Sequence, residues 1–146
     1  EAEVVPTCRE LGVSQIVWSP MAQGVLTGKY LPGQPVPEGS RASDERLAGI
    51  MGKYLSDDVL TRVQQIKPLA DELGLTMAQF ALAWVLQNDN VASAIVGATK
   101  PEQISSNIAA AGVEIPQEVM HKVSEILAPV AVFDPAETKA PETRLV

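Results

Sequence analysis

Three segments of the chain carry residue types that suit a ligand with phosphate groups and a flat ring. Residues 18–24 combine an aromatic side chain with small residues, and residues 97–100 place a hydroxyl and an ammonium group at a predicted helix start, where free backbone amides favour anions. Residues 39–43 add the guanidinium of Arg41. Together they predict a nucleotide phosphate site, although each has a plainer interpretation: a core tryptophan, an ordinary capped helix and a solvated arginine.

The side chains most often used for acid–base, nucleophilic or metal chemistry are few and isolated in the sequence. The single histidine, His121, lies in a helical pattern among charged residues and is predicted to be exposed. Cys8 has no histidine near it and is predicted to be a buried packing residue. Tyr30 and Tyr54 have no visible partner in the sequence, and no metal-ligand spacing is present. We therefore predict no catalytic residue and no metal site in this sequence.

Two short apolar stretches are predicted to be buried strands that bring the first two segments together. Residues 13–18 are mostly apolar and end before Pro20, which cannot donate to a strand ladder, and residues 91–97 form the second stretch. Strands that alternate with helices pair in parallel, and ligands bind at the carboxyl ends of parallel strands. We therefore expect residues 18–24 and 97–100 to lie at one edge of a sheet.

The remaining patterns predict helices around a long loop. One helix ends at Gly12, and the others span residues 56–73, 76–88, 101–111 and 116–127. Residues 19–58 are rich in glycine and proline, and we expect mostly loop there, either a binding loop or plain disorder. Residues 80–86 are apolar on nearly every side, so that helix needs packing partners on several faces.

Composition narrows the classes of protein to which the chain can belong. Its 11 Lys and Arg against 18 Asp and Glu give a formal charge of −7, which argues against nucleic-acid binding. The single cysteine excludes an internal disulfide and suits a reducing compartment, so we expect a cytoplasmic protein. No apolar run reaches the roughly 18–20 residues that span a bilayer, and the acidic first residues do not resemble a signal peptide. We expect no direct membrane insertion.

The number of predicted strands conflicts with the length of the chain. A chain of 146 residues suffices for one domain, but two parallel strands buried on both faces cannot form a self-sufficient sheet. The sequence also lacks an initial Met and begins in a helical pattern. We therefore expect an α/β fold that is incomplete alone, in a chain that is truncated, processed or partial.

Several motifs resemble the aldo-keto reductase superfamily. Residues 18–30, W-S-P-M-A-Q-G-V-L-T-G-K-Y, resemble its segment Y/W-S-P-L-A-x-G-x-L-T-G-K-Y. Residues 39–42 resemble the S-R loop of the branch that contains the voltage-gated potassium channel β subunits and their bacterial relatives. Residues 81–86 and 94–107 resemble the A-x-A-W-x-L and G-A-x-x-x-x-Q-x-x-x-N signature of that branch. The resemblance covers the chain in register, except for its C-terminal end.

The resemblance implies a (β/α)8 barrel, or TIM barrel, that binds NADP(H) and reduces aldehydes or ketones. This chain would form the C-terminal part of the barrel over residues 1–128, with residues 19–58 as a loop region that covers the cofactor and residues 129–146 as a tail. The catalytic Asp, Tyr, Lys and His of the family match no residue here. The resemblance therefore places the catalytic acid outside this sequence.

The resemblance also assigns roles to the matching residues. Trp18 would stack on the nicotinamide, while Ser40 and Arg41 would hold the 2′-phosphate, a task that suits a bidentate guanidinium. The pyrophosphate would lie along Ser19, Pro20, Met21, Ala22, Gln23 and Lys29. The adenosine end would lie against Gly97, Thr99, Gln103 and Asn107. Two positions depart from the family: Met21 replaces Leu, and Ser106 replaces an acidic residue that contacts adenine.

Three functions fit these residues. The first is the NADP(H)-binding part of a reductase that acts on a small carbonyl substrate. The second is a non-catalytic, NADP(H)-sensing β subunit whose partner is a potassium channel. The third is a half-barrel that pairs with a missing N-terminal half or with itself, because the apolar faces of residues 80–86 would be exposed in a monomer.

Overall fold

The computed structural model describes residues 3–132, which form six α-helices and a two-stranded sheet. Three short 3₁₀ segments lie between β1 and α3. In chain order the elements are α1 (Val4–Glu10), β1 (Gln15–Trp18), the 3₁₀ segments Ala22–Thr27 and Arg41–Ser43, α2 (Glu45–Met51), the 3₁₀ segment Gly52–Tyr54, α3 (Asp57–Glu72), α4 (Met77–Leu86), β2 (Val91–Ile95), α5 (Pro101–Ile108) and α6 (Gln117–Leu127).

The two predicted strands are present and pair in parallel, as the alternation of strands and helices indicated. Trp18 lies opposite Ile95 and Ile16 lies opposite Ser93, after a register irregularity at Gln15. Because the last residues of the two strands are partners, the segments that follow them leave the sheet side by side. This register positions the candidate site.

Local sequence signals set the junction of the core helices α3 and α4. Gly74 has a φ of +68° and donates from its N–H to the Asp71 carbonyl at 3.0 Å, which ends α3 with the left-handed residue that glycine adopts most easily. Two residues later, the Thr76 hydroxyl accepts from the Gln79 N–H at 3.2 Å, and the Gln79 side chain accepts from the Thr76 N–H at 2.9 Å. This reciprocal capping box begins α4.

The core lies among α3, α4 and α6, and it corrects one expectation about α4. Phe80, Leu82 and Ala83 are buried, with at most 3% of each residue exposed, and residues 84–86 are half-buried, so the apolar faces of residues 80–86 are mostly covered rather than exposed as predicted. The physical reason is that α3, α5, β2 and the Ala22–Thr27 segment all pack on this helix. The apolar periodicity of α3 and α6 supplies the opposing side chains, which are Leu60, Val63, Ile66, Val119 and Val123.

Exposed apolar surface is found instead on one face of the sheet. Ile16, Trp18 and Ile95 are 67%, 76% and 58% exposed. They share a face because register partners in a parallel pair point the same way, whereas their neighbours Val17 and Ala94 point to the other face and are half-buried. Two strands with one bare apolar face are what part of a larger closed sheet would show.

The region 19–58 is more ordered than its glycine and proline content indicated. It contains α2 and three 3₁₀ segments, and Val25, Tyr30 and Met51 are buried in the core. Residues 128–132 follow α6 as turn and irregular chain. The rest of the predicted tail, residues 133–146, lies outside the described residues.

No single helix within residues 3–132 is long and apolar enough to cross a membrane. The helices α3 and α4 meet the length and composition test only as a pair, and the chain bends by 86° between them. Much of their apolar surface packs in the protein core, where Val63 and Ala83 are at most 1% exposed.

Candidate functional site

The carboxyl edge of the sheet brings the two predicted binding segments together. Trp18 and Ile95 are register partners, so the chain leaves β1 at residue 19 and β2 at residue 96 on the same side of the molecule. The side chain of Trp18 is not a core residue among the described elements, because it lies on the bare face of the sheet and is 76% exposed. Its ring is therefore open to a flat ligand.

The backbone directly after β1 has an unusual conformation that the sequence did not reveal. Ser19, Ala22 and Gln23 have φ values of +55°, +46° and +59°, in the left-handed region that non-glycine residues seldom occupy. Gly24 and Gly28 continue this pattern at +97° and +76°. Such residues cost free energy and cluster at binding sites, where the surrounding structure holds them.

Gln23 joins two of the predicted site segments by direct contacts. Its side-chain amide nitrogen donates to the Ser19 hydroxyl, and its side-chain oxygen accepts from the Arg41 guanidinium. Ser19, Gln23 and Arg41 therefore meet in one cluster, although Arg41 lies 18 residues farther along the chain. We call this cluster the Gln23 bridge.

Side chains of α3 hold the loop that carries these residues, and sequence reasoning missed them. The amide nitrogen of Gln64 donates to the Gly28 carbonyl at 3.0 Å and to the Tyr30 carbonyl at 3.2 Å. The carboxylate of Asp57 accepts from the Gly33 N–H at 2.8 Å. These contacts join residues 24 to 36 positions apart, and no local sequence pattern signals pairs of that separation.

The cations of this edge are not neutralised by acidic side chains. Lys29, Arg41 and Lys100 form no ion pair with any residue between 3 and 132. Asp44, three residues after Arg41, pairs instead with Arg46 at 2.7 Å. The side-chain hydrogen bond from Arg46, with a smaller backbone contribution, lowers the pKa of the Asp44 carboxyl. Asp44 is therefore charged and already engaged.

The start of α5 brings together two of the four residues expected at the adenosine end. The Gln103 side-chain oxygen accepts from the Thr99 N–H at 2.8 Å, from the Thr99 hydroxyl at 3.3 Å and from the Lys100 N–H at 3.3 Å. This is also how an ordinary capped helix satisfies its first amides. Gly97 is exposed with open space around its α-carbon.

Other predicted site residues lie apart from these clusters. Pro20 is buried and lines an apolar cavity of about 140 Å³ with Leu26 and Phe80, so its ring belongs to the core side of the loop. Asn107 lines a separate groove between α4, β2 and α5. Met21 and Ala22 are half-buried in the turn after β1.

The two remaining polar positions behave differently from each other. The Ser40 hydroxyl oxygen is buried and has no hydrogen-bond partner among residues 3–132, which is uncommon for a buried hydroxyl. Ser106, where the family has an acidic residue, is engaged by Gln79, whose amide nitrogen donates to the Ser106 carbonyl at 3.0 Å.

The side chains that could support acid–base, nucleophilic or metal chemistry lie away from this edge or are not grouped together. His121 is exposed on α6 and lies 3.2 Å from a carboxylate oxygen of Glu125. Cys8 is a free, half-buried thiol rather than the buried packing residue expected. Among residues 3–132 no three His, Cys, Asp or Glu side chains are grouped to hold a metal ion. An exposed indole, unpaired cations and an unpartnered serine hydroxyl fit a dinucleotide that carries several phosphate groups.

Comparisons with known proteins agree with this description. The sequence matches the family model described as Aldo/keto reductase family over residues 1–128. It is 46% identical over 113 residues to a probable voltage-gated potassium channel subunit beta of Arabidopsis thaliana, covering 77% of this chain and 34% of that protein. A protein of the same description from Oryza sativa is 42% identical over 130 residues, with coverages of 87% and 39%.

Enzymes are also among the similar proteins. The L-glyceraldehyde 3-phosphate reductase of Escherichia coli is 36% identical over 107 residues, covering 73% of this chain and 31% of the enzyme. The structure of a glycerol dehydrogenase from Gluconobacter oxydans matches with a TM-score of 0.71 and 26% identity, covering 92% of this chain and 40% of that one. The chain thus spans between about a third and two fifths of the lengths of these relatives.

The contacts of Gln64 lead to a test of how α3 holds the site loop. In Gln64→Met, the Gly28 and Tyr30 carbonyls lose their donor, so we expect the free energy of unfolding to fall by about 1–3 kcal/mol. Amide hydrogen exchange should also accelerate across residues 22–30. The matched control is Gln65→Met, an exposed position of the same helix, which should change stability by less than about 0.5 kcal/mol. Equal effects of the two variants, measured by urea denaturation, would contradict the anchoring role.

Proposed function

Because the chain belongs to the aldo/keto reductase family and has the fold of the C-terminal portion of its (β/α)8 barrel, we propose that it forms the NADP(H)-binding part of a carbonyl reductase. The reaction would be hydride transfer from NADPH to a small aldehyde or ketone. The catalytic acid would come from protein outside this sequence, since no residue here matches the catalytic positions of the family.

The observation that carries this proposal is the Gln23 bridge at the carboxyl edge of the sheet. It joins Ser19, directly after the exposed ring of Trp18, to Arg41 in the S-R loop. The aromatic ring of Trp18 and the guanidinium of Arg41, which has no acidic partner among residues 3–132, are thereby linked through Gln23. A nicotinamide ring and a 2′-phosphate, which lie at opposite ends of one cofactor, need both kinds of group.

The residues of this chain would bind and orient the cofactor, which supplies the hydride when bound. The indole of Trp18 offers a flat surface against which a nicotinamide ring can lie, restricting its tilt. Lys29 would balance the charge of the pyrophosphate, and Arg41 would donate paired hydrogen bonds to the 2′-phosphate, which Ser40 would also contact. At the other strand end, Thr99 and Gln103 would face the adenosine. Fixing the ring relative to the substrate is the main contribution such a part makes to rate.

A second candidate function rests on the names of two relatives. Proteins described as probable voltage-gated potassium channel subunit beta are 46% and 42% identical to this chain. The same edge residues would then bind NADP(H) as a sensor, and the partner would be a channel subunit. Copurification with a channel tetramerisation domain, without carbonyl turnover, would favour this function over the first.

The bare face of the sheet supports a proposal about what completes the structure. Ile16 and Ile95 expose apolar area on strands whose outer edges have no partner strand within residues 3–132. We propose that a complementary N-terminal half of the barrel covers this face, or a second copy of the chain in its absence.

The 2′-phosphate assignment predicts a specific loss in Arg41→Ala. Charge-assisted hydrogen bonds of this kind contribute enough that the Kd for NADP⁺ should rise about 10- to 100-fold, while the Kd for NAD⁺ changes little. Arg46→Ala removes the same charge from an arginine that is paired with Asp44, and it should leave the ratio of the two constants unchanged. Calorimetric titration gives both constants, and a parallel loss for NAD⁺ would contradict the assignment.

Turnover is the test of the reductase proposal. Mixing this chain with the N-terminal half of a related barrel should restore NADPH oxidation in the presence of a small aldehyde, followed by the absorbance of NADPH. Trp18→Ala should reduce that rate because the ring that orients the nicotinamide is gone. A reconstituted barrel that binds NADPH but never turns over would exclude the first function and leave the second.

Size-exclusion chromatography tests the proposal about the bare face. The chain alone should elute larger than a 15.5 kDa monomer, because its exposed sheet face would pair with another copy. Ile16→Lys and Ile95→Lys should shift the elution towards a monomer, whereas Val4→Lys, at an exposed apolar position on α1, should not. A compact wild-type monomer with cooperative unfolding would show that this face needs no partner.

A further inference from the structure

Tyr30 is buried between the segments that carry the two loop cations, and the proposed function gives it no role. It follows Lys29 directly in sequence and is only 1% exposed. A tyrosine so deeply buried needs a partner for its hydroxyl, and here the hydroxyl and the carbonyl contact two other segments while the ring contacts the neighbouring Lys29.

The ring of Tyr30 contacts the ammonium group of Lys29. The nitrogen lies 5.2 Å from the ring centroid, within the range of a cation–π interaction. The same ammonium reaches back over Gly24, where an added β-carbon would come within 3.6 Å of it. The ring thus directs an exposed, flexible side chain back over the turn that follows β1.

The hydroxyl of Tyr30 reaches the turn that holds Arg41. Its oxygen accepts from the Ala42 N–H at 3.4 Å, and Ala42 is itself buried. On the main chain, the Tyr30 carbonyl accepts from Gln64 on α3 at 3.2 Å. The residue is therefore tied to α3 at one end and to the arginine turn at the other.

We propose that Tyr30 is a positioning residue that sets the preference for a 2′-phosphorylated dinucleotide. Its hydroxyl fixes the turn from which Arg41 projects, and its ring orients Lys29 towards the pyrophosphate. The first contact acts on NADP(H) alone, while the second acts on any dinucleotide. This inference rests on the proposed function, because it assigns positioning roles within that cofactor site.

The two contacts are separated by two substitutions. Tyr30→Phe keeps the ring and deletes the hydroxyl, so the Kd for NADP⁺ should rise about 2- to 12-fold while the Kd for NAD⁺ stays unchanged. Tyr30→Leu also deletes the ring, so the Kd for NAD⁺ should rise as well, by about 2- to 5-fold. Titration calorimetry on the full chain measures both constants, and the ratio of the two is a quantity that general loss of stability does not change.

Tyr54→Phe is the matched control, a hydroxyl deletion in the other tyrosine, and it should leave the ratio at its wild-type value. A second measurement needs no variant: the Ala42 amide of the wild-type chain should exchange at least about tenfold more slowly than an unstructured amide. Exchange at the unstructured rate would overturn the inference even if Tyr30→Phe failed to fold.

The failures of the two proposals are distinguishable. If the wild-type chain binds NADP⁺ and NAD⁺ equally, the proposed cofactor site is wrong and the role of Tyr30 falls with it. If the wild type prefers NADP⁺ and Tyr30→Phe keeps the same preference, the cofactor site stands and only the Tyr30 inference is overturned.

Discussion

The parallel register of β1 and β2 is the constraint from which both the packing and the site follow. With Trp18 opposite Ile95, the side chains of Val17 and Ala94 point towards the helices, while Ile16 and Trp18 point to the bare face. A slip of one residue in either strand would exchange these two sets, burying Trp18 under the helices and exposing Val17. The same register also fixes where the chain leaves each strand. A single pairing geometry therefore makes the indole available and places the two binding segments at one edge.

The segment between β1 and α3 can be ordered because α3 supplies hydrogen-bond partners that the segment lacks on its own. Buried loops are rare, since backbone groups outside helices and sheets must find other partners. Here Gln64 and Asp57 engage the loop backbone, and the Tyr30 hydroxyl engages a further amide. Side chains of α3 thus provide hydrogen-bond partners for the loop backbone, as a neighbouring strand does for a strand in a sheet. The left-handed residues after β1 persist because the loop is held on both sides of them.

Sequence reasoning identified the features whose causes are local. The strands and the helix boundaries at residues 73 and 76 all depend on patterns of a few neighbouring residues. The prediction that residues 80–86 expose apolar faces was wrong, because burial depends on which elements pack there. Four elements pack on this helix. Gln64 was missed for the same reason: its partners lie 34 and 36 residues away. Trp18 shows the intermediate case, because the sequence left a core residue and a ligand-binding residue as alternatives and the register places its side chain outside the core.

The chain is acidic overall, yet the edge that we propose to bind an anionic cofactor is positively charged. The pairing of the cations explains this difference. A formal charge of −7 would repel an anionic cofactor if it acted uniformly, but charges separated by more than about 8 Å are largely screened at physiological salt. Within the described part of the chain, Arg62 and Lys67 on α3 each pair with an acid four residues away, a spacing that a helix brings into contact. Lys29 and Arg41 lie in irregular segments, where no such neighbour is supplied. Pairing along α3 thus neutralises Arg62 and Lys67, whereas Lys29 and Arg41 stay without an acidic partner among residues 3–132, beside the exposed ring of Trp18.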